Sequence, residues 1–279
     1  LANLRAVKSD EEYINQCNQQ GFYPLVYYPH NYHFLWATAT LEGDSKTAID
    51  AALKTSQLPP DSLINLCGYK TLQAFVVIPL YAYVTFGKWD EILNYEKPEK
   101  LQLYPLGVWH YARGMAFIAN DDLERAEKEL AELEQLRFNK SVEDLSIWGI
   151  NSAGTLLKIG HEVLSGELAA KKKDYATAIS HLKSAVELEN TLRYDEPPTW
   201  FYPCRLNLGA VLIESGRYEE AQKVFEENLS DLPENGWALY GLHQALLKLN
   251  ENNEAAEVQK RLKEAWIYSD IKLNSSRIL

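Results

Sequence analysis

The chain has 279 residues, 46% hydrophobic and 24% charged, a globular composition that excludes a disordered or fibrous polypeptide. Lys and Arg number 28 against 39 Asp and Glu, a net charge of −11. Bulk charge of that sign disfavours nucleic acid and anionic membranes as partners. Cys17, Cys67 and Cys204 are far apart and odd in number, so no disulfide framework and no Cys-x-x-Cys metal pair is written in them.

Residues 1–20 are polar and charged, unlike a signal peptide, yet Leu1, Leu4, Val7, Tyr13, Ile14 and Cys17 keep a helical rhythm. They are expected to be the tail of an earlier helical hairpin in a longer chain, with 21–279 as one domain. Without a leader or a membrane span in view, the default compartment is the cytoplasm. His30–Ser56 is expected to be the next helical unit, turning at Gly43-Asp44, and a Pro-rich polar stretch around Gln57–Asp61 follows it. The longest apolar run, Ala74–Phe86, is too short for a bilayer and is broken by Pro79, so it predicts a buried helix. It belongs to a second unit, Gln73–Tyr95, turning at Gly87-Lys88-Trp89. In the third and fourth units, Gly114 and Gly166 stand twelve positions ahead of Ala126 and Ala178. Between these two, the inserted segment 138–155 carries Trp148 and Asn151 and is long enough to reach across the molecule. A loop at 190–199 precedes the fifth unit, in which Gly209 stands twelve ahead of Ala221. The sixth unit, Gly236–Leu262, has Asn250 at its turn, where Asn tolerates the left-handed conformation. Trp266, Ile267, Tyr268 and Ile271 make 263–279 the expected capping helix.

The same small position recurs at Ala48, Ala126, Ala178, Ala221 and Ala255, with Ile92 standing in once, at spacings of 44, 34, 52, 43 and 34 residues. In Tyr202–Asn235 it is accompanied by Leu208-Gly209, Gly216, Tyr218, Phe225 and Pro233. This pattern resembles the tetratricopeptide repeat, a 34-residue helix-turn-helix unit. The segments at 27–36, 194–200, 235–237 and 265–270 resemble the C-terminal half of large bacterial proteins of that family. The resemblance implies an all-α, right-handed α-α superhelix of about six hairpins, with the first helix of each hairpin lining the concave side. Such a solenoid needs a cap, because each hairpin leaves one apolar face open.

Mapped onto the concave positions of that family, the groove-lining candidates are His30, His33, Tyr81, Tyr111, Met115, Trp237, Tyr240 and Gln244. Tyr and Trp suit such a surface because each joins rigid apolar area to one polar handle, although the same side chains also serve interhelix cores. Family members that clamp acidic peptide tails use Lys, Arg and Asn at these positions. Here the positions are His, Tyr, Val, Ala and Gly, so a neutral, basic or apolar partner is expected. His30 and His33 lie three apart after Pro29 and share a helical face on which two imidazoles could reach one metal, with His110 as a third ligand. The same pair serves equally as hydrogen-bonding residues in an aromatic layer. Asp195-Glu196 and Glu167 are carboxylates near the groove that burial could tune for acid-base work, though loop carboxylates commonly cap helices instead.

The chain contains no GxxxxGK[ST], GxGxxG, HExxH or GxSxG motif. The expected function is therefore a protein- or peptide-binding scaffold with an aromatic concave groove, no catalysis of its own and no cofactor. Self-association between convex faces is compatible with it. The alternative is a metal-binding or hydrolytic helical enzyme built around His30 and His33.

Overall fold

A computed structural model describes residues 2–17, 23–59, 61–64, 66, 68–99 and 102–279. Helix α1 (Ala2–Cys17) covers most of the expected leading helix and lies against the next one; residues 1 and 18–20 of that expectation, and Cys67, fall outside the described residues. Six hairpins follow among the described residues. The first joins α2 (Tyr28–Glu42) to α3 (Ser45–Gln57). A short helix α4 (Asp61–Ile64) and a 3-10 turn (Lys70–Leu72) lead into α5 (Gln73–Val76) and α6 (Ile78–Thr85), which pair with α7 (Trp89–Leu93) as the second hairpin. Pro79 sits in the first turn of α6, and its missing N–H and fixed φ explain why Ala74–Phe86 forms two helical pieces.

The third hairpin is α8 (Leu103–Ala119) with α9 (Leu123–Arg137), and a short α10 (Lys140–Glu143) comes next. The 138–155 insertion continues as a two-stranded antiparallel ribbon, β1 (Ser146–Ile147) with β2 (Asn151–Ser152). The fourth is α11 (Ala153–Lys171) with α12 (Tyr175–Asn190), the fifth α13 (Cys204–Glu214) with α14 (Tyr218–Asp231), and the sixth α15 (Gly236–Leu249) with α16 (Asn252–Ala265). Consecutive helices lie against one another in the manner of an all-α solenoid.

All six hairpins turn on one geometry. A residue with positive φ stands five positions ahead of each small position: Gly43, Gly87, Asp121, Lys173, Gly216 and Asn250. At each, two N–H groups reach back to the carbonyls the helix end leaves unpaired. At Gly216 the pairs are Gly216 N–H to Ile213 O (3.0 Å) and Arg217 N–H to Leu212 O (2.8 Å). This double closure stops the first helix and aims the second back along it. The small positions are sealed in the seam between the two helices: Ala48, Ile92, Ala126, Ala178 and Ala221 have no exposed surface, and Ala255 has 1%.

The seam is tightest in the last units. A Cβ on Gly209 would stand 2.3 Å from Phe225 Cζ, and one on Gly241 would stand 2.2 Å from the same atom. Phe225 is a knob between two glycine notches on consecutive first helices, so the notches exist because the ring needs the space.

Two features depart from expectation. The capping helix over 263–279 does not form: α16 ends at Ala265, and the chain continues irregularly to Leu279. The reason is tertiary. The Trp266 indole donates to Leu41 O (2.9 Å) and the Asp270 N–H donates to Gly43 O (3.2 Å), so the segment is pulled to the first hairpin instead of continuing a helical ladder. The solenoid also closes on itself. Helices α2 and α15 touch, and the Trp237 indole donates to Thr40 O at 2.9 Å.

Candidate functional site

The aromatic side chains of the first helices that sequence reasoning assigned to a groove are already covered by the chain. Tyr81 on α6, Tyr111 and Met115 on α8, and Trp237 on α15 are 1–3% exposed. The covering group is Trp200-Phe201-Tyr202, at the end of the segment between α12 and α13. Phe201 stacks on Tyr81 with ring centroids 4.1 Å apart. Trp200 meets Tyr81 and Tyr111 edge-on, and Tyr202 meets Trp237 edge-on. These are the favoured geometries of aromatic pairs, with the edge of one ring against the face of another or two rings offset. Burial pushes the hydroxyl pKa of Tyr81, Tyr111 and Tyr202 far up, so the interior phenols stay neutral.

The covering segment is pinned from the ribbon insertion. Asn151 on β2 donates to Arg193 O (3.0 Å) and Thr199 Oγ1 (2.9 Å), and its Oδ1 accepts the Arg193 N–H (2.8 Å). On the same ribbon, the Trp148 N–H donates to Thr71 Oγ1, and the Trp148 ring lies against Phe75. The insertion that carries Trp148 and Asn151 therefore does reach across, to the second unit on one side and the covering segment on the other.

Residues 266–279 form a second covering segment. Asp270 accepts the Ser45 and Lys46 N–H groups (2.8 and 3.2 Å), supplying from far along the chain a second cap for the start of α3. The Tyr202 hydroxyl donates to Ser276 O, and Ser276 Oγ donates to Leu206 O (2.9 Å). The Arg277 guanidinium lies between Glu167 (2.8 Å) and Glu214 (2.8 Å). Glu167 is 1% exposed, and its other partner is the Asn207 amide at 2.7 Å. Burial raises the Glu167 carboxyl pKa, and the Arg277 charge opposes that rise.

The histidines do not form a metal centre. His33 points inward, stacked on Trp36 (centroids 5.3 Å apart, planes 10° apart) and edge-on to Phe75; burial lowers its pKa to about 3, so it is neutral. His30, one helical turn earlier, points outward against Phe34. His110 is engaged between α8 and α9, where its Nδ1 lies 2.6 Å from Glu129, a carboxylate that Arg113 also holds. No group of three or more His, Cys, Asp or Glu side chains among the described residues could hold a metal ion. Tyr240 and Gln244 on α15 are half-buried, and the Gln244 amide lies 3.3 Å from His243.

A large opening lies beside the covering segment. A cleft of about 540 Å³ lies between α2, the 190–203 segment and the end of α14. Phe34, Trp36, Tyr194, Pro198, Trp200 and Leu232 are among its walls, and Tyr194 stands 82% exposed at the rim. Asp195 lines it and is electrostatically coupled to His30, which places His30 at its margin. The indole N–H of Trp36 and that of Trp200 are buried without a hydrogen-bonding partner among the described residues. Glu189 sits at the base, its carboxyl pushed up to about 7 by burial while it accepts the Cys204 N–H. Burial and the neighbouring Glu189 raise the Cys204 thiol, so this cysteine is a protonated, unreactive packing residue.

Sequence reasoning expected the aromatics of the first helices to line an open groove; Tyr81, Tyr111 and Trp237 are instead buried, and what covers them was missed. The signals were present: the YDEPPTW stretch and the Trp266–Asp270 stretch stand out in the sequence, yet neither repeats, so periodicity gave them no place.

Residues 212–265, from the end of α13 through α16, match a family model described as Tetratricopeptide repeat. No curated protein matches the chain.

Proposed function

We propose that this chain, a tetratricopeptide-repeat protein, is a non-catalytic scaffold that takes a protein segment in the cleft between α2 and the 190–203 segment. Tetratricopeptide repeats generally mediate protein–protein interaction and scaffolding. The observation that carries the choice of surface is the contrast in accessibility. Tyr81, Tyr111, Met115 and Trp237 are buried by the chain itself, whereas the cleft is open, walled by aromatic and proline side chains, and about 540 Å³ in volume. That lies in the range of ligand-binding clefts, roughly 300–1,000 Å³.

A partner side chain entering it would find rigid apolar walls with Tyr194 and His30 at the margin. Asp195, Glu196 and Asp231 line it against Arg193 and Arg205, and the chain carries −11 overall. A neutral to basic or apolar partner segment suits that field better than an acidic one.

The test compares bait chains. Ala37→Arg and Leu232→Arg each place a long cation in the cleft, while Glu132→Arg changes the charge of an exposed site on α9 away from it. Proteins retained by the wild type and by Glu132→Arg, but lost from both cleft variants at unchanged melting temperature, identify the cleft as the binding surface. Equal retention by all four baits removes it.

A further inference from the structure

One segment of the chain already lies on the solenoid as a bound peptide would, with Ser276 and Arg277 buried. Residues 271–279 lie against the solenoid with no backbone-to-backbone hydrogen bond to it among the described residues; the last such bond is that of the Asp270 N–H. Side chains hold the segment instead. Tyr202 holds the Ser276 carbonyl, Ser276 Oγ reaches Leu206 O, and Ile278 sits over Gly87, where a Cβ would come within 2.6 Å of it. The charged anchor is Arg277. It is 8% exposed, and its guanidinium is shared by Glu167 on α11 and Glu214 on α13.

The receptor half of this contact comes from the repeats and the ligand half from outside them. Glu167 and Asn207 are side chains of first helices facing inward. A carboxylate with 1% exposure and one amide partner needs a cation, and a planar guanidinium meets two carboxylates better than an ammonium does. What the pocket reads is short and general: one backbone carbonyl, one arginine and one branched apolar side chain after it. Any extended segment with those features presents the same groups, and the net charge of −11 favours its approach.

We propose that the Glu167–Glu214 pocket is an arginine-reading peptide subsite, and that residues 271–279 occupy it as an internal pseudo-ligand. An extended segment of another protein, bearing an arginine followed by a branched apolar residue, displaces them. This subsite lies apart from the cleft of the preceding section and stands or falls independently of it.

The probe is a fluorescent synthetic peptide with the sequence of residues 271–279, IKLNSSRIL, titrated by anisotropy into the full wild-type chain and into Arg277→Ala. The internal segment competes in the wild type and has lost its anchor in the variant. The variant therefore binds the peptide at least about tenfold more tightly, since apparent affinity scales with the fraction of open sites. A peptide with alanine in place of its arginine binds neither chain, and adding Glu167→Gln to the variant weakens its binding of the parent peptide.

Equal binding to wild type and variant, no binding to a folded variant, or undiminished binding of the alanine peptide overturns the proposal. If Arg277→Ala fails to fold, Arg277→Lys decides, because an ammonium keeps the charge but fits two carboxylates less well than a guanidinium. It binds the parent peptide more tightly than the wild type does and does not bind the alanine peptide; equal binding of the parent peptide to both chains overturns the proposal.

Discussion

The hairpin seams and the concave interior of this molecule are both buried, but different forces hold them. At the seams, Ala221 and its equivalents let two helices touch, Phe225 fills the notches at Gly209 and Gly241, and the turn backbone satisfies itself. Every contact there is local or one unit away. Elsewhere, Trp200-Phe201-Tyr202 and residues 266–279 join units far apart in sequence through ring contacts and the hydrogen bonds of the Trp266 indole, the Tyr202 hydroxyl and the Arg277 guanidinium. The seams need only shape and repeat easily. These segments need specific polar partners, and each of them occurs once.

The contrast predicts how each region breaks. Arg277→Ala leaves Glu167 buried without its cation, and loss of one partner of such a pair costs about 3–5 kcal/mol of unfolding free energy in denaturant titrations. Adding Glu167→Gln recovers part of that loss, because the remaining group is then neutral and still bonds Asn207. A double variant as unstable as Arg277→Ala alone would mean that the arginine acts by packing and not by charge. At the seam, Gly209→Ala forces a methyl group against Phe225 and costs about 1–3 kcal/mol by overpacking. Adding Phe225→Leu relieves the clash, and a double variant showing no relief would contradict the notch. Smaller still is Asp270→Ala. It removes the remote cap from Ser45 and Lys46, while Asp44 continues to accept the Thr47 N–H, so the loss is about 1 kcal/mol.

The same contrast governs what a sequence discloses. Seam residues are legible because the fold repeats them. The four residues between Gly43 and Ala48, or Gly216 and Ala221, are one turn and the first helical residues, set by local geometry, and so the spacing appears at every unit. Even Asn250 could be placed, because its left-handed conformation has a local cause. The six hairpins follow from that. Whether the inner aromatics would be open or covered does not, because the cover is a segment with no periodicity whose place is fixed by Asn151, some fifty positions earlier in sequence. Residues 266–279 failed as a helix for a related reason. Trp266 and Asp270 have their partners in the first hairpin, and a local pattern holds no sign of so distant a bond. His30 and His33 share a helical spacing, but that spacing alone does not say which imidazole faces Trp36 and which faces outward.

The smallest effects are those of pH, and they separate the two regions by sign. Glu162, half-buried on α11, is raised by burial but more strongly lowered by hydrogen bonds from His161 and His181, and its pKa falls from 4.5 to about 2. Its folded form binds protons more weakly than its unfolded form, so it contributes stability above pH 4.5 that is lost as pH falls toward 2. Glu189, at the base of the inner cleft, is raised by burial to about 7, more than its bonds to Cys204 lower it. Its folded form holds the proton more tightly, so its contribution is full below pH 4.5 and declines as pH rises toward 7. Melting temperatures of wild type, Glu162→Gln and Glu189→Gln, scanned from about pH 3 to about pH 8, read these contributions directly. Relative to wild type, Glu162→Gln is penalised most near neutral pH, and the penalty shrinks in acid. Glu189→Gln gains on the wild type as pH rises from 4.5 to 7, because the amide needs no deprotonation in a dry site. If both variants track the wild type with the same slope, the distinction between a carboxylate held by two histidines and one without a cation of its own fails. If only Glu189→Gln departs, the Glu162 pairs contribute little and Glu189 carries the pH dependence.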